Sequence, residues 1–128
     1  MREIEFRIKD RDAWYYGLPL SKVKKDKDTV AFGSGDGNYY NLLADVKTLG
    51  QYIGLKDKNG QKIYEGDIVR IFANNYDEKL VFRIVYCEDI AQFEIVGNDL
   101  CITFDNVYNY EVEVIGNVWD NPELLDSL

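Results

Sequence analysis

The stretch QYIGLKDKNGQKIYEGDIVR, residues 51–70, decides the fold. Asn59-Gly60 supplies the pair that accepts positive φ in a type I′ turn, so residues 51–57 and 61–64 read as the two arms of an antiparallel hairpin. Glu65-Gly66-Asp67 then reads as a tight turn that launches a new strand at Ile68. Toward the C-terminus the pattern continues as a meander. Residues 80–87 (LVFRIVYC), 92–96, 100–104 and 111–119 are rich in Val, Ile and Phe, and short Gly/Asn/Asp segments separate them. Strands of this length with short turns predict a small closed barrel, and closure would leave no strand edge open to solvent. Asn121-Pro122-Glu123 has the order of a helix start, with a capping residue, a proline at the first position and an early acid. It predicts one helical turn laid on the barrel by Leu124 and Leu125.

Outward in the other direction, Ile4, Phe6 and Ile8 alternate with Glu3, Glu5, Arg7 and Lys9, which is the period of a half-buried strand. Asp10 to Asp12 turn the chain, and Trp14, Tyr15 and Tyr16 form a second, aromatic strand before Gly17 and Pro19. Residues 21–38 change to Lys/Asp and then to GSGDGN at 33–38, a composition that predicts a flexible loop. In NLLADVKTL, residues 41–49, Leu42, Leu43, Val46 and Leu49 fall at helical spacing. Asn41 is placed to cap and Gly50 to stop, so a short helix is expected there. The predicted fold is mainly β, with residues 1–50 as an N-terminal β segment carrying the loop and the helix. Residues 51–128 form the barrel, the two parts making one compact unit.

Composition narrows the function. The chain of 128 residues has a net charge of −8, which argues against a protein that grips nucleic acid chiefly by neutralising phosphates. The charge is uneven: residues 1–64 hold 12 Lys/Arg against 9 Asp/Glu, and residues 65–128 hold 3 against 14, so the halves carry +3 and −11. Such halves could meet head to tail in a homo-oligomer, or the acidic half could face a basic partner; plain solvated strand faces would look the same. Histidine is absent, which removes the commonest general base and metal ligand. Cys87 and Cys101 sit in apolar runs, where a thiol packs as a small hydrophobe, and both read as reduced. Arg2, Glu3 and Glu5 interrupt the N-terminus, so no signal peptide is expected, and no apolar run is long enough to span a bilayer. These features point to the cytoplasm.

The candidate chemical motifs fail on spacing. GSGDGN is not followed by the Lys-Ser or Lys-Thr of a phosphate loop. Asp26 and Asp28 begin an EF-hand-like spacing, but Ala31 replaces the turning glycine and Gly37 the bidentate glutamate. Glu65 with Asp67, or Glu111 with Glu113, have same-face strand spacing that could serve a metal or acid–base chemistry. Aspartates at turns more often bind backbone N–H groups, however, and no catalytic, metal or cofactor site is expected. Aromatic side chains are the stronger indication, because tyrosine and tryptophan dominate binding hot spots. The candidate partner-binding residues are Tyr52, Tyr64, Glu65, Asp67 and Trp119, flanked by Tyr76 or by Tyr108 and Tyr110. For Tyr64 and Trp119 the plainer and favoured reading is that they fill the core. Lys22, Lys24, Lys25 and Lys27 lie in one loop and are the candidate contacts to nucleic acid.

The words GLKDKNGQKIYEGDI, the opening MREIEFR and EVIGNVWDNPELL resemble the YopX proteins, small proteins encoded mainly by phages and prophages of bacteria. The resemblance implies an SH3-type β-barrel with an additional N-terminal β segment, and it brings no catalytic residues. The expected function is a non-enzymatic protein-interaction module. A nucleic-acid-associated barrel, or an acidic mimic of DNA, is the alternative.

Overall fold

A computed structural model of the chain describes residues 3–19, 29–33, 39–43, 45–71, 80–97, 100–104 and 112–125. These residues form two compact units, Met1–Tyr52 and Ile53–Leu128.

The first unit is an antiparallel sheet. β1 (Phe6–Asp10) and β2 (Ala13–Pro19) form a hairpin around Arg11 and Asp12, with Ile8 opposite Tyr15 and Asp10 opposite Ala13. A two-residue loop needs positive φ at its first position, and Arg11 adopts φ 58° there. β2 does not stop before Gly17 but runs on through it. Its last residues pair with β3 (Thr29–Gly33), which pairs in turn with β4 (Tyr39–Leu43). β5 (Asp45–Lys56) lies on the other side of β1, giving the order β4-β3-β2-β1-β5. Ile8 and Phe32 are fully buried, with Phe6, Tyr15 and Leu49 against them.

Two expectations are overturned here. Part of the expected loop, residues 29–33, is strand, and the expected helix at 41–49 is the end of β4 and the start of β5. The leucine spacing fits a helix, but pairing decides otherwise: Arg7 opposes Gly50 and Phe6 opposes Gln51, so Gly50 lies within a ladder instead of ending a helix. The register slips between Arg7 and Lys9. At the slip the Thr48 hydroxyl accepts the Lys9 N–H at 2.9 Å, so the slip leaves no orphaned donor.

The second unit begins within β5, whose end pairs with β6 (Lys62–Tyr64). A separate five-stranded antiparallel sheet follows in the order β10-β9-β8-β7-β11. Its members are β7 (Asp67–Ile71), β8 (Leu80–Cys87), β9 (Gln92–Gly97), β10 (Leu100–Thr103) and β11 (Val112–Asn117). Alternation places one apolar row on the inner face: Val69 opposes Phe82 and Val114, and Ile84 opposes Ile95. With Ile53, Ile63, Ile71 and Val112 these make the buried core. Each such side chain contributes about 1.5–3 kcal/mol on burial.

The meander holds from β7 to β10, but β11 returns to pair with β7, and the expected closure is not found. β10 and β11 are the two edges of an open sheet. The outer edge of β11 is occupied by the β5–β6 turn, since Lys58 N–H donates to the Val112 carbonyl at 2.9 Å and Val114 N–H donates to Asp57 Oδ2 at 2.9 Å. An edge covered in this way has no backbone groups left there for a closing strand. The short helices expected are likewise absent among the described residues, apart from the 3-10 turn Pro122–Leu125 lying near β8. Pro122 does begin that turn, but the Asn121 side chain does not cap it; Asn121 Oδ1 accepts the Asn117 N–H at 3.2 Å instead.

Candidate functional site

The residues singled out at 64–67 and 119 come together at one corner of the second unit. Between β6 and β7 the chain turns through Glu65 and Gly66, with Gly66 at φ 90°. Asp67 Oδ2 accepts the Tyr64 N–H at 2.7 Å and so closes the turn from inside. Gly66 then bridges two other parts of the unit: its N–H donates to the Ile84 carbonyl and its carbonyl accepts the Val118 N–H, both at 2.9 Å. The Glu65-Gly66 turn thereby touches the loop that presents Trp119.

That loop is built by two asparagines. Asn117 Oδ1 accepts the N–H groups of Trp119 (3.0 Å) and Asp120 (2.9 Å), while its Nδ2 donates to Asp120 Oδ2 (3.1 Å). Asn121 N–H donates to the Asn117 carbonyl at 2.9 Å. Asparagine suits this work because its carboxamide reproduces a backbone turn and offers both a donor and an acceptor. The loop passes close over Gly116, where a Cβ would lie 2.5 Å from Asn121 Oδ1. Trp119 is thus held by its backbone while its side chain stays 39% exposed. Glu65, half-buried, precedes Gly66 in the turn that meets this loop.

Tyr52, Tyr64 and Asp67 are buried, so the corner presents Trp119 and Glu65 with Tyr64 and Asp67 as supports, and Tyr52 is not part of it. Asp67 is engaged on a backbone donor, the ordinary role of an aspartate at such a turn. Glu113 makes an ion pair with Lys58 at 3.0 Å. Among the described residues no group of three or more Cys, Asp or Glu is arranged to hold a metal ion. Tyr76, Tyr108, Tyr110, Glu111 and the lysines at 22, 24, 25 and 27 lie outside the described residues.

Among the described residues of the second unit, the carboxylates of Asp57, Asp67 and Glu94 are buried. Asp57 is the busiest. Its Oδ1 accepts the N–H groups of Asn59 and Gln61 and its Oδ2 that of Val114, all at 2.9 Å. One side chain therefore shapes the β5–β6 turn and ties it to β11. The turn itself differs from the type I′ expected, since only Gly60 has positive φ (81°). Gly60 N–H donates to the Asp57 carbonyl (3.0 Å) and Asp57 N–H to the Gln61 carbonyl (2.8 Å), the pattern of a three-residue loop with glycine last. Asp-Lys-Asn-Gly is a strong signal for that loop, because aspartate favours the first position of a type I turn. Sequence reading passed over Asp57 because the neighbouring Asn-Gly pair fits the shorter turn.

Neither cysteine behaves as a buried apolar residue. Cys101 is exposed and Cys87 half-exposed, both with free thiols. They lie on β10 and β8 with β9 between them, so about 10 Å of sheet separates their strands, beyond the reach of a disulfide. The Cys101 thiol donates to Glu94 Oε2. That hydrogen bond, together with some desolvation and repulsion from the same carboxylate, raises the Cys101 pKa above its ordinary value.

The family model described as YopX protein matches residues 5–126. The chain belongs to the YopX family. The match runs across both units and includes the Trp119 corner. Protein EF1440 from Enterococcus faecalis, known from its crystal structure, is similar to this YopX-family chain over 98% of its length and over 99% of EF1440, with 26% identity and a TM-score of 0.67. None of the curated proteins matches the chain. No helix among the described residues is long and apolar enough to cross a membrane.

Proposed function

We propose that the chain is a non-enzymatic protein-interaction module that binds a protein partner through the Trp119 corner. The observation that carries this reading is an exposed tryptophan on a loop already fixed by four side-chain hydrogen bonds of Asn117 and Asn121. A pre-ordered aromatic anchor loses little conformational entropy on binding, which is why such residues become hot spots. Glu65, Asp120 and Glu123 surround it in sequence or by backbone contact and favour a basic partner. An SH3-type architecture for the second unit, a phage or prophage origin and action in the bacterial cytoplasm belong to the same reading. They are supported by the family's sequence words and the five-stranded antiparallel sheet.

Affinity capture tests it. The tagged protein and its Trp119→Ala variant are exposed to a lysate of the bacterium that carries the gene, at low and high salt, with and without nuclease. The expected result is a stoichiometric protein partner that survives nuclease and is lost with Trp119→Ala. Recovery of nucleic acid alone, released at high salt, would overturn the reading in favour of a nucleic-acid-associated protein. Substrate turnover abolished by Glu65→Ala would overturn it in favour of an enzyme.

A further inference from the structure

The β8–β9 hairpin reaches beyond the core it helps to form. Along the inner row of β8, Phe82 and Ile84 are fully buried, but the next residue of that row, Tyr86, is 44% exposed. Its cross-strand partner Phe93 continues the inner row of β9 in the same way and is only half-buried. The two rings meet edge to face with centroids 5.1 Å apart, so the overhanging tyrosine is held in place by its neighbour. At the tip, residues 88–91 form a four-residue loop between the paired Cys87 and Gln92, and Ile90 is 49% exposed there. The loop is completed by Ala91 at φ 53°, a conformation in which an L-residue other than glycine is strained. Burial of the protein's own core explains neither the projecting apolar groups nor the strain.

Charge indicates what the tip faces. Residues 84–97 contain Glu88, Asp89 and Glu94 and no lysine or arginine. Glu94 is buried and accepts the Cys101 thiol, which leaves Glu88 and Asp89, just before Ile90, as the exposed charges of the tip. An apolar knob beside two carboxylates is complementary to an apolar pocket or side chain accompanied by lysine or arginine. We propose that the β8–β9 hairpin is a second docking element, with Tyr86 and Ile90 as its anchors, that takes a basic protein segment carrying bulky apolar residues. It rests on the reading of the chain as a protein-interaction module, but it concerns a surface distinct from the Trp119 corner.

A displayed library of random peptides selected on the full-length protein provides the probe. Selected peptides are synthesised and titrated by fluorescence anisotropy against wild type, Ile90→Asp, Tyr86→Ala and Trp119→Ala, each checked for native circular dichroism. The expected motif combines Lys or Arg with Leu, Phe or Trp. Its affinity should fall about tenfold or more with Ile90→Asp and Tyr86→Ala and stay within about twofold with Trp119→Ala. Ile90→Asp adds a negative charge, so attraction of a basic peptide by charge alone would strengthen, and a loss reports the apolar contact. Peptides that bind Ile90→Asp as well as wild type overturn the hairpin site; if they are lost with Trp119→Ala, the module reading stands with a single surface. A library that yields no binder overturns both.

Discussion

The β5–β6 and β8–β9 turns both carry carboxylates and both end on a residue of positive φ, yet they are built for opposite ends. In the first, the positive φ belongs to Gly60 and the carboxylate of Asp57 is buried on three backbone donors. In the second, it belongs to Ala91, and Glu88, Asp89 and Ile90 point outward at exposed positions. One turn satisfies its own backbone and seals the edge of β11. The other holds a less favourable backbone and projects apolar and acidic groups, which is the pattern of a surface used for contact.

The largest effect is expected at Asp57. Asp57→Ala leaves three N–H groups without their charged acceptor and should cost about 3 kcal/mol in urea unfolding followed by tryptophan fluorescence. Asp57→Asn keeps one acceptor but turns an amide donor toward another donor, and about half of that loss is expected. A change under about 1 kcal/mol for Asp57→Ala would show that the first turn does not depend on its carboxylate.

The base of the second hairpin is as tightly built as its tip is open. A Cβ at Gly97 would lie 2.8 Å from the Val81 carbonyl oxygen and 3.0 Å from the Phe82 ring, so Gly97→Ala should destabilise by about 2 kcal/mol. The same unfolding measurement checks this, and a neutral result would mean that β9 can shift away from β8 at little cost.

A paired exchange sharpens the comparison. Gly60→Ala forces a Cβ into φ 81° and should cost about 1 kcal/mol, although the space around it is open. Ala91→Gly relieves the opposite problem and should raise stability by up to about 1 kcal/mol. Equal signs for the two would remove the argument that the tip of the β8–β9 hairpin is strained.

The smallest effect is chemical. Because the hydrogen bond to Glu94 raises the Cys101 pKa, less thiolate is present at pH 8 than for an unperturbed thiol, and alkylation by iodoacetamide should be slow. In a Cys87→Ser background, Glu94→Gln should speed that reaction a few-fold, as followed by mass spectrometry. An unchanged or slower rate would show that the carboxylate does not govern the thiol.

Local pattern carried much of the second unit. β8 begins and ends where LVFRIVYC does, and the Glu65-Gly66 turn lies where its glycine places it. These features depend on side chains two residues apart and on φ preferences of single residues, and both are written in the chain. The candidate corner was legible in part. Trp119 and Glu65 were named from residue type, but the burial of Tyr52 and Tyr64 depends on what lies above them, which composition does not state.

What the sequence by itself determined is the family, the predominance of β structure, the meander from β7 to β10 and the absence of histidine chemistry. Tertiary structure alone decided that residues 41–49 extend instead of coil, that the sheet stays open and that Asp57 rather than Asn59-Gly60 organises the turn. In each case the deciding partner is distant in sequence: Arg7 across from Gly50, and Val112 and Val114 against Lys58 and Asp57. A backbone N–H or C=O must find a partner on folding, and whether that partner is four residues away or fifty-seven is settled only when the strands assemble.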